Sequence, residues 1–199
     1  MAFRALRTLA RPAAAAAAPR VAAAPAAAPL RQFHATPRAF VSVGDAIPDL
    51  DVLVEDSPGN KVNLGKELGS GSGKGEGLII GVPAAFSGAC STTHVPGYIN
   101  HPKLKGAGKV FVVSVNDPFV MKAWSEQLDP GKKSGIRFVG DPTGEFTKAL
   151  DLGFDAYAIF GGVRSKRYAL VVENGKVKSV HVEPDNTGTS VSLAEKVLG

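Results

Sequence analysis

From residue 41 onward, short apolar runs alternate with polar or Gly/Pro-containing breaks. Leu50-Asp51-Val52-Leu53-Val54-Glu55 alternates well enough for a strand. Asp56-Ser57-Pro58-Gly59-Asn60 has turn chemistry, and Lys61-Val62-Asn63-Leu64 pairs back as a hairpin. Leu78-Ile79-Ile80-Gly81-Val82 and Val110-Phe111-Val112-Val113-Ser114-Val115 are continuous apolar runs, which predict buried strands. Asp117-Pro118 fits an N-cap and first helical residue, ahead of Phe119, Val120, Ala123, Trp124 and Leu128 at helical spacing. Asp141-Pro142 repeats that pattern before Phe146, Ala149 and Leu150, after the short strand Arg137-Phe138-Val139.

Towards the C-terminus, Tyr168-Ala169-Leu170-Val171-Val172 faces Val177-Lys178-Ser179-Val180-His181-Val182 across an Asn174-Gly175 turn, an antiparallel hairpin. Ser192 and Glu195 stand at capping-box spacing for a last helix ending near Leu198. Alternating strands and helices, then a hairpin and a final helix, predict an α/β three-layer sandwich with a mixed central sheet. The segment from Gly69 to Gly77 holds five Gly and reads as a flexible loop.

Charge separates the first forty residues from the rest. The 199-residue chain carries 23 Lys+Arg against 18 Asp+Glu, a net +5. Six Arg and no Lys, Asp or Glu lie in residues 1–40, leaving 17 basic against 18 acidic residues in 41–199. The remaining 159 residues therefore have a net charge of −1 and no basic-aromatic patch, which argues against a nucleic-acid binder. The start is amphipathic, with Arg4, Arg7 and Arg11 on one side of a helix and Phe3 and Leu6 on another. Seventeen Ala favour helix, while Pro12, Pro19, Pro25 and Pro29 prevent a core. An Arg-rich, acid-free, amphipathic start is the composition of a mitochondrial presequence, so residues 1–40 are expected to direct import to the matrix. Arg31-Gln32-Phe33-His34-Ala35-Thr36 resembles a two-step matrix-processing pattern, placing the mature start near Phe33 or Val41. The C-terminal Val197-Leu198-Gly199 carries no S-K-L-type peroxisomal address. No run of 18 apolar residues free of charge and Pro appears, which argues against a transmembrane helix.

The Gly-rich loop does not have phosphate-loop spacing, and it precedes a strand where such loops follow one. His34, His94, His101 and His181 show no ligand pairing, so no metal site is expected. The remaining candidate is Cys90, the only cysteine, in Val82-Pro83-Ala84-Ala85-Phe86-Ser87-Gly88-Ala89-Cys90 after a buried strand. Ligands in α/β folds collect at such carboxyl ends of strands. Small residues before Cys90 let backbone N–H groups face the sulfur, and Ser87 can offer a hydroxyl to a thiolate or a bound oxygen. The residues alone leave two readings, a small buried hydrophobe or a reactive thiol. Activation needs more than a helix N-terminus, worth about 0.3–1 kcal/mol. A cation must therefore come from elsewhere in the fold. Only Arg137, Arg164 and Arg167 follow residue 40. Arg167 directly precedes the strand at Tyr168, whereas Arg164 sits in a looser Gly-rich stretch. Arg167 is the chosen partner, with an exposed strand-end charge as its alternative. His94, four residues after Cys90, is assigned an orienting or packing role rather than that of a base.

These residues resemble the peroxiredoxin family. Pro83-x-x-x-Ser87-x-x-Cys90 is similar to its P-x-x-x-[ST]-x-x-C signature. Gly81-Val82-Pro83, Thr93-His94, Pro96-Gly97, Ser114-Val115-Asn116-Asp117, Asp141-Pro142-Thr143-Gly144, Lys166-Arg167-Tyr168 and Val182-Glu183-Pro184 resemble its atypical type II, peroxiredoxin-5 branch. The resemblance spans about residues 42–198. It implies a thioredoxin-like fold and reduction of hydrogen peroxide and alkyl hydroperoxides, without a cofactor. By position it makes Cys90 the peroxidatic nucleophile and Arg167 its activating guanidinium. Ser87 stands for the usual Thr as hydroxyl donor, Pro83 shields the sulfur from water, and the Ala89 and Cys90 amides cradle the peroxide.

Gly88 departs from the common Pro. Members with an internal resolving Cys carry it near Val191, where this chain has none. A 1-Cys cycle is therefore expected, with an external thiol (glutathione, glutaredoxin or thioredoxin) as reductant. The resemblance also implies a homodimer, to which Phe86 and Phe119 are candidate contributors. A non-catalytic redox sensor, passing oxidation to a partner through a mixed disulfide, is the alternative.

Overall fold

A computed structural model of the chain describes residues 40–69 and 75–199. The rest of the expected presequence, and residues 70–74 of the Gly-rich loop, lie outside the described residues. In chain order the elements are β1 (Leu53–Val54), β2 (Lys61–Val62), α1 (Leu64–Glu67), β3 (Glu76–Val82), a π-helical turn (Cys90–His94) running into α2 (Val95–Ile99), β4 (Lys109–Ser114) and α3 (Pro118–Leu128). There follow β5 (Arg137–Gly140), α4 (Glu145–Ala149), β6 (Gly153–Asp155), α5 (Tyr157–Phe160), β7 (Val163–Ser165), β8 (Tyr168–Glu173), β9 (Lys176–Val182) and α6 (Ala194–Val197).

Seven strands form one mixed sheet in the order β2-β1-β5-β4-β3-β8-β9. β3, β4 and β5 run parallel, whereas β8 returns antiparallel beside β3 and pairs with β9. The expected three-layer α/β sandwich is present, with the thioredoxin-like arrangement. Its centre follows from side-chain alternation. Leu78, Ile80 and Val82 of β3 join Val110 and Val112 of β4 on one face, with Met121, Trp124 and Phe138. Ile79 joins Phe111, Val113, Val139, Phe146 and Tyr168 on the other. The hairpin turn is as predicted: Asn174 and Gly175 both have positive φ (52° and 74°), the requirement of a primed two-residue turn.

Five details differ from the sequence reading. β1 is only two residues long, within the six expected. In α3 the N-cap is correct, since Asp117 accepts from the Phe119 and Val120 amides, but the buried face is Pro118, Met121, Trp124 and Ser125. Phe119 and Ala123 turn outward, whereas Trp124 is buried and Leu128 packs against the core, so the expected stripe is only partly the buried face. Asp141-Pro142 opens a turn rather than a helix. α4 starts three residues later, and the Asp141 carboxylate reaches forward to the Phe146 and Thr147 amides. Ser192 does not cap α6, whose N-cap is Leu193, because its hydroxyl is taken by Glu183. The small β6–β7 hairpin was not anticipated.

Candidate active site

β3 ends at Val82 on the parallel side of the sheet, and the next residues, Pro83 and Ala84, are buried. The loop then leaves the core under tension. The Ala85 amide donates to Asn116 Oδ1 at 3.0 Å, and Ser114 Oγ holds that same oxygen at 2.7 Å. Phe86 adopts φ 60°, a left-handed conformation that a bulky L-residue enters at a cost of roughly 1–2 kcal/mol. That reversal brings Ser87 back over the start of the next helix. Ser87 Oγ lies 2.9 Å from Cys90 Sγ and 2.9 Å from the Ala84 carbonyl.

Cys90 opens the π-helical turn and is fully buried, packed into the apolar layer that includes Trp124 and Tyr98. Ala89 and Cys90 stand at the start of that turn, where amides have no intrahelical acceptor. The cation comes from across the sheet. Arg167, 2% exposed, directs Nη1 to Cys90 Sγ at 3.4 Å and donates from Nε to the Thr187 carbonyl at 3.1 Å. The alternative of an exposed strand-end charge therefore fails. A buried guanidinium cannot shed its proton, so its environment must supply acceptors or an anion.

His94 points away from the sulfur. Its Nε2 is 2.9 Å from the Ser192 carbonyl, an acceptor, so Nε2 carries the proton and donates. Tyr98 donates to the same carbonyl at 2.6 Å, and the two rings meet edge-on. Burial, then the Arg167 charge, pushes His94 down to about 4, which makes it a neutral packing and orienting group. Among the described residues, no group of three or more His, Cys, Asp or Glu could hold a metal ion. No helix there is long and apolar enough to cross a membrane.

Residues 42–198 match the Redoxin family model. The peroxisomal membrane associated protein 20 of Schizosaccharomyces pombe is 47% identical over 162 residues, which cover 80% of this chain and 98% of that protein. The mitochondrial peroxiredoxin-2F of Arabidopsis thaliana is 46% identical over 125 residues, 61% of each chain. The crystal structure of reduced Prx3 in complex with H2O2 from Vibrio vulnificus superposes with a TM-score of 0.68 at 36% identity, covering 79% of this chain and 97% of that one. The chain belongs to the peroxiredoxin family. As a peroxiredoxin it is a thiol-dependent peroxidase.

Of the residues singled out in the sequence of this peroxiredoxin, the structure brings Ser87 and Arg167 onto the Cys90 sulfur, and Pro83 is buried just after β3. The sequence reading treated Arg164 as a loop residue, yet Arg164 donates to the Val115 carbonyl at 2.5 Å and to the Phe160 carbonyl at 3.1 Å. It gave no role to Asn116 or Glu183. Both lie inside strings that carry the family resemblance, which was the available signal. Phe86 and Phe119 are 51% and 63% exposed, so neither is ordinary core.

Proposed function

We propose that this peroxiredoxin reduces hydrogen peroxide and alkyl hydroperoxides through Cys90 alone and recovers its thiol from an external one. The observation that carries this reading is the pair of donors on one sulfur, Arg167 Nη1 at 3.4 Å and Ser87 Oγ at 2.9 Å. A thiolate there is an anion that satisfies the buried guanidinium. The sulfur attacks the terminal peroxide oxygen; the S–O bond forms as the O–O bond breaks. The departing alkoxide or hydroxide takes a proton and leaves as alcohol or water, and Cys90 becomes a sulfenic acid. The donors already aimed at Sγ, with the Ala89 and Cys90 amides, stabilise charge on the oxygens in the transition state. Pro83 keeps water from the sulfur. The Vibrio relative, whose crystal structure is of the reduced protein in complex with H2O2, supports the substrate class.

With one cysteine in the chain, the sulfenic acid condenses with an external thiol to a mixed disulfide and water. A second external thiol then releases Cys90. Glutathione-linked recycling, through glutaredoxin or directly, is our reading, with thioredoxin as the competing reductant; no cofactor enters. Because Cys90 is fully buried, the first helical turn must loosen before a thiol on another molecule reaches it. The protein forms a homodimer, to which the exposed Phe86, in the loop that leads to Cys90, and the exposed Phe119 contribute. We place the protein in the mitochondrial matrix on its Arg-rich first forty residues. The mitochondrial relative supports this, while the peroxisomal name of the other marks the competing compartment.

The deciding experiment is a peroxidase assay with a panel of thiol reductants. Cys90→Ser is expected to be inactive, and retained activity there defeats the proposal. Arg167→Ala is expected to lose on the order of 10²–10³-fold in rate, the usual cost of removing one oxyanion donor. A single stoichiometric oxidation, with no turnover under any reductant, would mark a redox sensor instead.

A further inference from the structure

The segment from residue 183 to 192 touches both halves of the site, and one buried carboxylate gathers it. Glu183 is 1% exposed. Its Oε1 accepts from the amides of Ser190, Val191 and Ser192 at 2.8–2.9 Å and from Ser192 Oγ at 2.8 Å. Its Oε2 accepts from Ser190 Oγ at 2.6 Å. Five donors on one carboxylate hold the end of the segment against its beginning. The beginning is tied to the arginine: the Glu183 amide donates to the Arg167 carbonyl at 3.0 Å, and the Arg167 amide to the Asn186 carbonyl at 2.7 Å. Thr187 then presents its carbonyl to Arg167 Nε. At the far end, Ser192 presents its carbonyl to His94 and Tyr98, on the helical run that begins at Cys90. One face of the loop holds the guanidinium, and the other holds the helix carrying the sulfur.

We propose that Glu183 is a positioning residue for the peroxidase reaction, setting Arg167 against Cys90 by closing residues 183–192 into a rigid ring. This rests on the peroxidase reading of Cys90 and Arg167. Neither Glu183 oxygen touches the sulfur; the carboxylate acts through the carbonyls it orders. The charged groups around the sulfur make the claim testable by sign. Arg167 attracts negative charge at the sulfur, a carboxylate at Glu183 repels it through space, and His94 is neutral. If Glu183 mattered only by its charge, removing that charge would speed Cys90. If it positions Arg167, removing the clamp slows Cys90. Glutamine keeps the shape: its carbonyl accepts the same amides, and its NH2 donates to the Ser190 hydroxyl.

The test measures two rates on the full chain, Cys90 with hydrogen peroxide and Cys90 with iodoacetamide, alongside unfolding by urea. Glu183→Ala is expected to slow both reactions roughly ten- to a hundredfold, the scale of a misplaced catalytic group. Glu183→Gln is expected to restore most of the rate. In an Arg167→Ala background, Glu183→Ala is expected to add no further loss. Wild-type rates in a folded Glu183→Ala protein overturn the proposal, as does acceleration in both Ala and Gln variants. Should Glu183→Ala fail to fold, the Ser190→Ala/Ser192→Ala pair, which removes two of the five donors, is expected to slow both reactions several-fold. Unchanged rates in that pair overturn the proposal equally. Arg167→Ala alone separates the two levels. If it leaves the rates intact, the peroxidase reading falls; if it slows them while the clamp variants do not, only the role of Glu183 falls.

Discussion

Ser87 Oγ has one proton and two neighbours at 2.9 Å, the Ala84 carbonyl and Cys90 Sγ. With a protonated thiol, the hydroxyl donates to the carbonyl and accepts from sulfur. With a thiolate, it turns to donate to sulfur. The residue is a two-position donor that follows the charge state of its neighbour. A hydrogen bond to a charged group is worth about 1.5–3 kcal/mol, so Ser87→Ala is expected to slow peroxide reduction by roughly ten- to a hundredfold. Ser87→Thr, which keeps the hydroxyl, is expected to stay near wild type; stopped-flow peroxide kinetics decide it. His94 makes a separate prediction about stability. Its folded value near 4 lies below the ordinary 6.5, so the unfolded chain takes up this proton first as pH falls. Stability is therefore intact above pH 6.5 and declines between 6.5 and 4, by about 3 kcal/mol in full. Glu183, held near 2 against an ordinary 4.5 by its hydrogen bonds despite burial, loses its contribution only between pH 4.5 and 2. Urea unfolding in His94→Asn is expected to lose the slope in the upper window and keep it in the lower. A slope unchanged between pH 6.5 and 4 rejects the assignment.

At the level of elements, β3 and β8 meet where a side chain has been left out. A Cβ on Gly81 would come within 2.0 Å of the Tyr168 ring, so Tyr168 occupies the space over that strand position. Gly81→Ala is expected to destabilise the protein by about 1–3 kcal/mol, the usual cost of overpacking. It is also expected to reduce peroxidase activity, because Tyr168 adjoins Arg167 in the chain; unfolding and activity measured on one sample test both. The sequence made β3, β4, β8 and β9 legible because their side chains are sorted by burial alone, with period two or as a continuous run. It counted Phe119 into the α3 stripe, where Trp124 and Leu128 do pack, because Phe119 is apolar yet faces outward. Periodicity cannot separate that from a core position. The Ser192 cap was misread for a related reason. A hydroxyl at capping spacing is a local signal, and Glu183, nine residues earlier, outcompetes it through the fold. Cys90, Ser87 and Pro83 were legible because they share one short loop. The 183–192 ring was not, because the Glu183 carboxylate gathers three backbone amides beside its two hydroxyls and acts through backbone carbonyls, which any sequence supplies.

Across the whole molecule, the N-terminal edge of the folded domain has an energetic definition. Val41 donates its amide to the Leu150 carbonyl at 3.0 Å and, like Ile47, is buried in the core. Between them Gly44 donates to the Val177 carbonyl, Val177 to that of Asp45, and Ile47 to that of Gly175, at 2.8–2.9 Å. This segment is thus laced to β9 and its turn. Phe40, by contrast, is 37% exposed, with Lys166 over its ring at 5.8 Å, an exposed contact worth about 0.5–1 kcal/mol. A chain beginning at Val41 is therefore expected to unfold within about 1 kcal/mol of one beginning at Phe40. A chain beginning at Pro48 loses two buried aliphatic side chains at about 1.5–3 kcal/mol each, together with the backbone bonds. Against a total stability of roughly 5–15 kcal/mol, that is a large fraction. The sole tryptophan, Trp124, is fully buried and edge-on to Phe138, so its fluorescence reports unfolding without a label. Equal urea midpoints for the chains starting at Val41 and Pro48 would show that residues 41–47 are not part of the folded unit. A fall confined to the Pro48 chain fixes its edge at Val41.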